Sequence, residues 1–257
     1  MTKSTDLARV LDLVRRLRAP DGCPWDQEQS LATVRSYLIE EAHEVASALD
    51  SVEDTDGAEL REELGDLLFQ CCFIGVLAEE QNMFELSDAL DEVHKKMVAR
   101  HPHVFGDDRL ETAAEVAAAW ERRKQAAPDR TSVLDGVPRS MPALSRANRV
   151  GQKVAAVGFD WPDVHGVLAK VDEELGELRE AIESRESPKI EDELGDLLLS
   201  VASLARHLGI DPERALSLAN RKFESRYRRL EAALPADRSA TSDELEALWQ
   251  RAKLEET

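Results

Sequence analysis

Glu63-Leu64-Gly65-Asp66-Leu67-Leu68 recurs without a change as Glu193-Leu194-Gly195-Asp196-Leu197-Leu198, and this repetition decides how the chain is organised. Three further features recur around it in the same order. Upstream, Glu40-Glu41-x-x-Glu44 returns as Glu173-Glu174-x-x-Glu177. Downstream, Lys96-x-x-x-Arg100 returns as Lys222-x-x-x-Arg226, and Trp120-x-x-x-Lys124 as Trp249-x-x-x-Lys253. Four features in one order, at similar separations, mark a duplicated module.

Around the repeat, apolar residues fall at helical spacing. Leu7, Val10, Leu11 and Val14 make one stripe, Leu60, Leu64, Leu67, Leu68 and Cys71 a second, and Leu194, Leu197, Leu198, Val201 and Leu204 a third. Aromatic residues make up only 5% and no run of alternating β-branched residues occurs, so the sequence predicts an all-α fold. Helices are expected near 6–18, 30–49, 57–80, 84–100 and 111–126, then near 141–156, 163–184, 189–208, 211–231 and 241–255. Asp6, Ser30, Asp163 and Asp211 read as N-caps, with Pro212 at a first helical position and Gly209 as a helix stop. Residues 127–142 carry Pro128, Pro138 and Pro142 with little periodicity. They divide a first module, 1–126, from a second, 143–257.

Composition narrows the functions open to such a chain. Its 257 residues hold 33 Lys+Arg against 52 Asp+Glu, a formal charge of −19. A surface of that sign repels a nucleic-acid backbone, so no nucleic-acid partner is expected. A phosphate-bearing substrate would have to meet metal ions or a local basic cluster. No apolar stretch is long enough for a membrane span, and Met1-Thr2-Lys3-Ser4-Thr5-Asp6 has no secretory character. Cys23, Cys71 and Cys72 form no C-x-x-C, which suits reduced thiols and a cytoplasmic location.

Residues three apart on a helix share a face, with Cβ atoms about 5–6 Å apart. Glu174 and Glu177 therefore point one way, and Glu193 and Asp196 do likewise on the next helix. A short connection from Ser184 to Pro188 lets the two helices fold back on each other, so that four carboxylates could converge. Like charges that close repel, and a hard divalent cation such as Mg2+ relieves them. Lys222 and Arg226 add positive charge suited to a polyphosphate. Glu-rich faces are also common as solvated surface, and spacing alone leaves both readings open. Gly65 and Gly195, costly inside helices, suggest close backbone approach beside the acids.

E-E-x-x-E followed by E-x-x-D on the next helix, duplicated over a chain of this length, resembles the MazG family of nucleoside triphosphate pyrophosphohydrolases. The likeness extends to Gly22-Cys23-Pro24-Trp25-Asp26, to His101-Pro102-His103-Val104-Phe105-Gly106 and to Gly158-Phe159-Asp160-Trp161. It implies two tandem all-α modules that dimerise into a homodimer. It also implies Mg2+, for which Mn2+ can substitute, and hydrolysis of nucleoside triphosphates to monophosphate and pyrophosphate.

Carried residue by residue, the resemblance makes Glu174, Glu177, Glu193 and Asp196 metal ligands and catalytic residues, with Glu174 or Glu177 as general base. Lys170, Lys189, Lys222 and Arg226 would hold the triphosphate, while Trp249 and Lys253 close over the nucleotide. Glu41, Glu44, Glu63 and Asp66 form the second metal set, accompanied by Lys96, Arg100, Trp120 and Lys124. The second module keeps Asn220 and Phe223 where the first has His94 and Met97, and catalysis is expected in the second.

Four other readings compete. A di-iron carboxylate bundle wants Glu-x-x-His pairs; Glu40-x-x-His43 fits, but the second module offers Glu173 and Gly176 in those places. A Nudix hydrolase needs a β-sheet, and no P-loop motif is present. A non-catalytic nucleotide-binding or regulatory helical protein would show no Mg2+ dependence.

Overall fold

Why the chain winds into hairpins rather than one long rod is seen at its stops. Asp163 accepts hydrogen bonds from the backbone N–H of His165 and Gly166, and Asp211 from that of Arg214, so each closes the front of a helix. Gly209 takes φ +70° just after a helix ends. The computed structural model describes residues 5–52, 55–113, 115–116, 119–120, 131–234 and 240–254. No strand occurs among the described residues, in keeping with an all-α fold. No described helix is long and apolar enough to cross a membrane.

The chain forms two compact units, residues 1–109 and 110–257. The first holds α1 (Thr5–Arg18), α2 (Pro24–Glu28), α3 (Val34–Asp50), α4 (Ala58–Glu80), α5 (Leu86–Arg100) and α6 (Pro102–Phe105). α3 and α4 pack along each other, and α1 lies against α4. Val14, Val34, Cys72, Phe73, Val76 and Leu77 make the core, joined by Leu7, Val10, Leu11, Phe69 and Leu86. Arg15 and Arg18 at the end of α1 reach Glu79 and Glu80 at the end of α4, at 3.0 Å and 2.7 Å. Arg18 also donates to the carbonyls of Asp26 and Gln29. Gly22 is required where the chain leaves α1, because a Cβ there would stand 2.1 Å from the carbonyl oxygen of Leu17.

The second unit holds α7 (Ala143–Ala155), α8 (Val164–Ser184), α9 (Ser187–His207), α10 (Pro212–Ala233) and α11 (Ser242–Leu254). α8 and α9 form the expected hairpin, turned by Arg185 at φ +58°. α7 packs on α9, while α10 packs on α7 and α11 and meets α9 only over a short stretch. Ala119, Val167, Ala181, Ala202, Leu230 and Ala252 are its buried hydrophobic residues among those described.

Burial carries the duplication beyond the motifs. Val34 and Val167, and Ala48 and Ala181, stand as far apart in sequence as Glu41 and Glu174, and all four are buried. Cys72 and Ala202 match in the same way when Glu63 is set on Glu193, and both are wholly buried.

Several expectations are corrected. Asp6 lies inside α1 rather than before it. Ser30 does not cap α3, which begins at Val34. Instead Ser30 and Thr33 exchange backbone and hydroxyl hydrogen bonds, and this turn delays the helix. A Cβ at Gly65 or Gly195 would meet nothing within 4 Å, so among the described residues no other element's backbone approaches them; both lie on open helix surface. The five-residue α2 and four-residue α6 were too short to show a period. Part of the expected linker is folded: the buried ammonium of Lys153 in α7 donates to the carbonyls of Val133 and Asp135 at 2.9 and 3.0 Å. Val133, Asp135 and Lys153 all belong to the second compact unit, residues 110–257. Residues 127–130 and Lys124 lie outside the described residues.

Candidate active site

Two neighbouring helices build the site in each unit. In the second, α8 supplies Glu174 and Glu177 and α9 supplies Glu193; each offers a carboxylate oxygen, and these oxygens lie within 4.8 Å of one another. In the first, Glu41, Glu44 and Glu63 from α3 and α4 make the same arrangement. Three of the four expected carboxylates therefore meet in each module. Asp66 and Asp196, one turn farther on, do not enter these groups of oxygens.

Glu174 is the deepest member, only 4% exposed. Its Oε1 accepts from the Lys170 ammonium at 2.6 Å, one turn earlier on α8. Its Oε2 is buried without a hydrogen-bond partner. Leaving an acceptor buried and unsatisfied is costly, roughly 1–3 kcal/mol, so this oxygen calls for a ligand. An all-oxygen donor set of anionic groups suits a hard divalent cation.

Crowding shows in the proton affinities. Burial, then the charges of Glu174 and Glu193, hold the Glu177 carboxyl above its ordinary pKa. In the first module burial, then Glu44 and Asp66, raise Glu41, and burial followed by Glu44 raises Glu63. Hydrogen bonds to Glu173 and Glu174 raise the Lys170 ammonium instead. Where the second module has Lys170, the first has Tyr37, whose ring meets Trp25 at 5.8 Å. Sequence reasoning placed Lys170 with the substrate and missed its bond to Glu174, although i, i+4 spacing of opposite charges was a readable signal.

Of the remaining predicted residues of the second module, all but Lys189 lie on α10 and α11. Phe223 packs against Trp249 with ring centroids 5.0 Å apart, and the Lys253 ammonium lies 5.8 Å from the centre of the Trp249 ring. Lys222 and Arg226 lie on α10 to either side of Phe223 in sequence. Lys189 sits in the first turn of α9, four residues before Glu193. The acidic group thus lies on α8 and α9 and the aromatic and basic group on α10 and α11, and α10 meets α9 only over a short stretch. Among the described residues, no histidine enters either carboxylate group, which removes the ligand set a di-iron centre would use.

Comparison with known proteins agrees with this geometry. The family model described as the MazG nucleotide pyrophosphohydrolase domain matches residues 29–105 and 163–230, one segment for each carboxylate group. The chain is 42% identical over 260 residues to a nucleoside triphosphate pyrophosphohydrolase of Escherichia coli strain K12, covering 96% of this chain and 97% of that one. It is 36% identical over 250 residues to a nucleoside triphosphate pyrophosphohydrolase/pyrophosphatase MazG of Thermotoga maritima, covering 95% and 94%. An uncharacterized Bacillus subtilis protein, YabN, is 38% identical over 94% of this chain and 50% of its own length.

Proposed function

Since the chain belongs to the MazG nucleotide pyrophosphohydrolase family, we propose that it hydrolyses nucleoside triphosphates to monophosphate and pyrophosphate at the carboxylate group of its second module, with Mg2+. The observation that carries the metal assignment is the buried, unpartnered Oε2 of Glu174 beside two further carboxylates. Glu174, Glu177 and Glu193 would hold the ion, with Asp196 one turn away to complete the set or to bind the water around it.

When bound, a divalent cation neutralises the three carboxylates and the phosphate oxygens and makes water a better nucleophile. The protein supplies the rest. Glu177, the exposed member of the group, would take the proton of the attacking water as the bond to the α-phosphorus forms. Lys189, Lys222 and Arg226 bind the triphosphate and offset the charge gathering on the departing pyrophosphate. Trp249 and Phe223 present aromatic surface to the base, with Lys253 beside it. Such substrates are those of a cytoplasmic enzyme.

We also infer a homodimer. Leu64 and Leu68 on α4 are 45% and 46% exposed, and the matching Leu194 and Leu198 on α9 are 46% and 50% exposed. The same leucine ridge is left bare in both modules, beside the glycines that no backbone approaches. Exposed apolar patches of this kind mark association surfaces.

The experiment is incubation of the protein with each common NTP and dNTP. Pyrophosphate and monophosphate should form with Mg2+, cease with EDTA, and resume when Mg2+ or Mn2+ is restored. Release of orthophosphate, or turnover that ignores EDTA, would refute the assignment.

A further inference from the structure

We propose that Lys170 is an internal counter-ion that occupies the place of the divalent cation, so that metal uptake in the second module is an exchange in which the cation takes Glu174 and the ammonium passes to the polyphosphate. The inference rests on the metal reading above and adds an order to it: metal and nucleotide strengthen each other's binding through this one side chain.

The geometry carries the argument. Glu174 is almost wholly buried, and a buried carboxylate without a positive partner is strongly disfavoured. Lys170 meets that need at 2.6 Å and holds Glu173 at 2.8 Å with the same ammonium. It satisfies only one oxygen of Glu174, leaving Oε2 bare. Helix stability does not account for the pair, because a lysine four residues before a glutamate is the weaker of the two orientations. The lysine side chain is about a third exposed. Its long stem can therefore swing outward without opening the core.

A cation arriving at Glu174, Glu177 and Glu193 repels the ammonium and removes its reason to stay. A triphosphate outside the cluster then offers it new acceptors. The converse follows from linkage: a polyphosphate that draws Lys170 away leaves Glu174 readier for metal. The first module lacks this device, since Tyr37 stands there against Trp25. Its metal would enter without displacing a resident charge.

The test uses Mn2+ as probe on the nucleotide-free full chain, with free Mn2+ counted by electron paramagnetic resonance. Lys170→Met should bind Mn2+ in the second module on the order of five- to tenfold more tightly than wild type, while binding a non-hydrolysable triphosphate analogue more weakly. The double variant with Glu193→Gln should lose the gain, which locates it. Lys170→Arg, which keeps the charge, should stay near wild type, and Tyr37→Lys should weaken Mn2+ binding in the first module. Unchanged or weaker Mn2+ binding in Lys170→Met overturns the exchange while leaving the metal site intact. A wild-type protein that binds no Mn2+ at either cluster overturns the metal reading itself, and the exchange with it.

Discussion

Asp160 and Arg206, 46 positions apart in sequence, meet in a two-pronged ion pair, with Arg206 Nη1 donating to Asp160 Oδ2 at 2.8 Å. The pair fastens the turn before α8 to the far end of α9, and His207 lies beside it with Nε2 3.3 Å from Asp160 Oδ1. It thereby fixes the open end of the hairpin that carries the carboxylates. The Arg206 hydrogen bond, outweighing the opposing effect of burial, holds the Asp160 pKa below its ordinary value.

Asp160→Asn should therefore destabilise the second unit by about 2 kcal/mol, because it leaves Arg206 largely buried against an uncharged partner. Chemical denaturation at neutral pH measures this. The sign with pH is set by the lowered folded value. The ionised Asp160 contributes in full above its unfolded pKa of about 3.9, and the contribution fades as pH falls through the folded value. The gap between wild type and variant should begin to narrow below about pH 4 and shrink further with acid; a gap that stays constant as the pH falls speaks against the ion pair as its source.

Glu193→Gln should lower pyrophosphate release by about 100-fold or more. Its thermal stability without metal should hold or rise, since one of three crowded negative charges is gone. Glu63→Gln, the matching change in the first module, should leave most turnover in place. Equal losses in the two variants would show that both modules are needed for catalysis.

How much of this was readable beforehand depended on sequence distance. The α8–α9 hairpin, the caps at Asp163 and Asp211 and the stop at Gly209 follow from neighbours a few residues apart, and all were anticipated. Ser30 was misjudged because a serine–threonine turn and an N-cap share the same local chemistry. Gly65 and Gly195 suggested a close backbone contact that this chain does not make. Asp160 and Arg206 belong to separate segments, and no periodicity joins them. Within the site, three carboxylates per module meet as their spacing required, while Asp66 and Asp196 stay outside, a distinction spacing alone does not make because Glu174 and Glu177 are also one turn apart.

Trp249→Ala should raise KM for the nucleotide by about 5- to 100-fold, the range expected when one base loses an aromatic partner. Its effect on kcat should be smaller, because Trp249 lies among Phe223 and Lys253 and not among the carboxylates. Steady-state kinetics at fixed Mg2+ separates the two. A fall confined to kcat would mean that the indole acts on the chemistry and not on the base.

Leu194→Glu with Leu198→Glu should convert a sedimenting dimer to monomer while preserving helical circular dichroism, since both side chains are about half exposed within one chain. Analytical ultracentrifugation reads the change. A wild-type protein that already sediments as a monomer removes the leucine ridge as an association surface.

Ala181 and Ala202 are wholly buried on two helices that lie along each other. Side chains this small allow the helix axes to come close, and the distance between axes fixes how widely Glu174 and Glu177 stand from Glu193. Oxygen shells differ by only a few tenths of an ångström, about 2.0–2.1 Å for magnesium against 2.3–2.6 Å for calcium. If the carboxylates hold Mg2+ as proposed, a bulkier side chain at Ala181 or Ala202 would part the helices and spread the ligands of that ion.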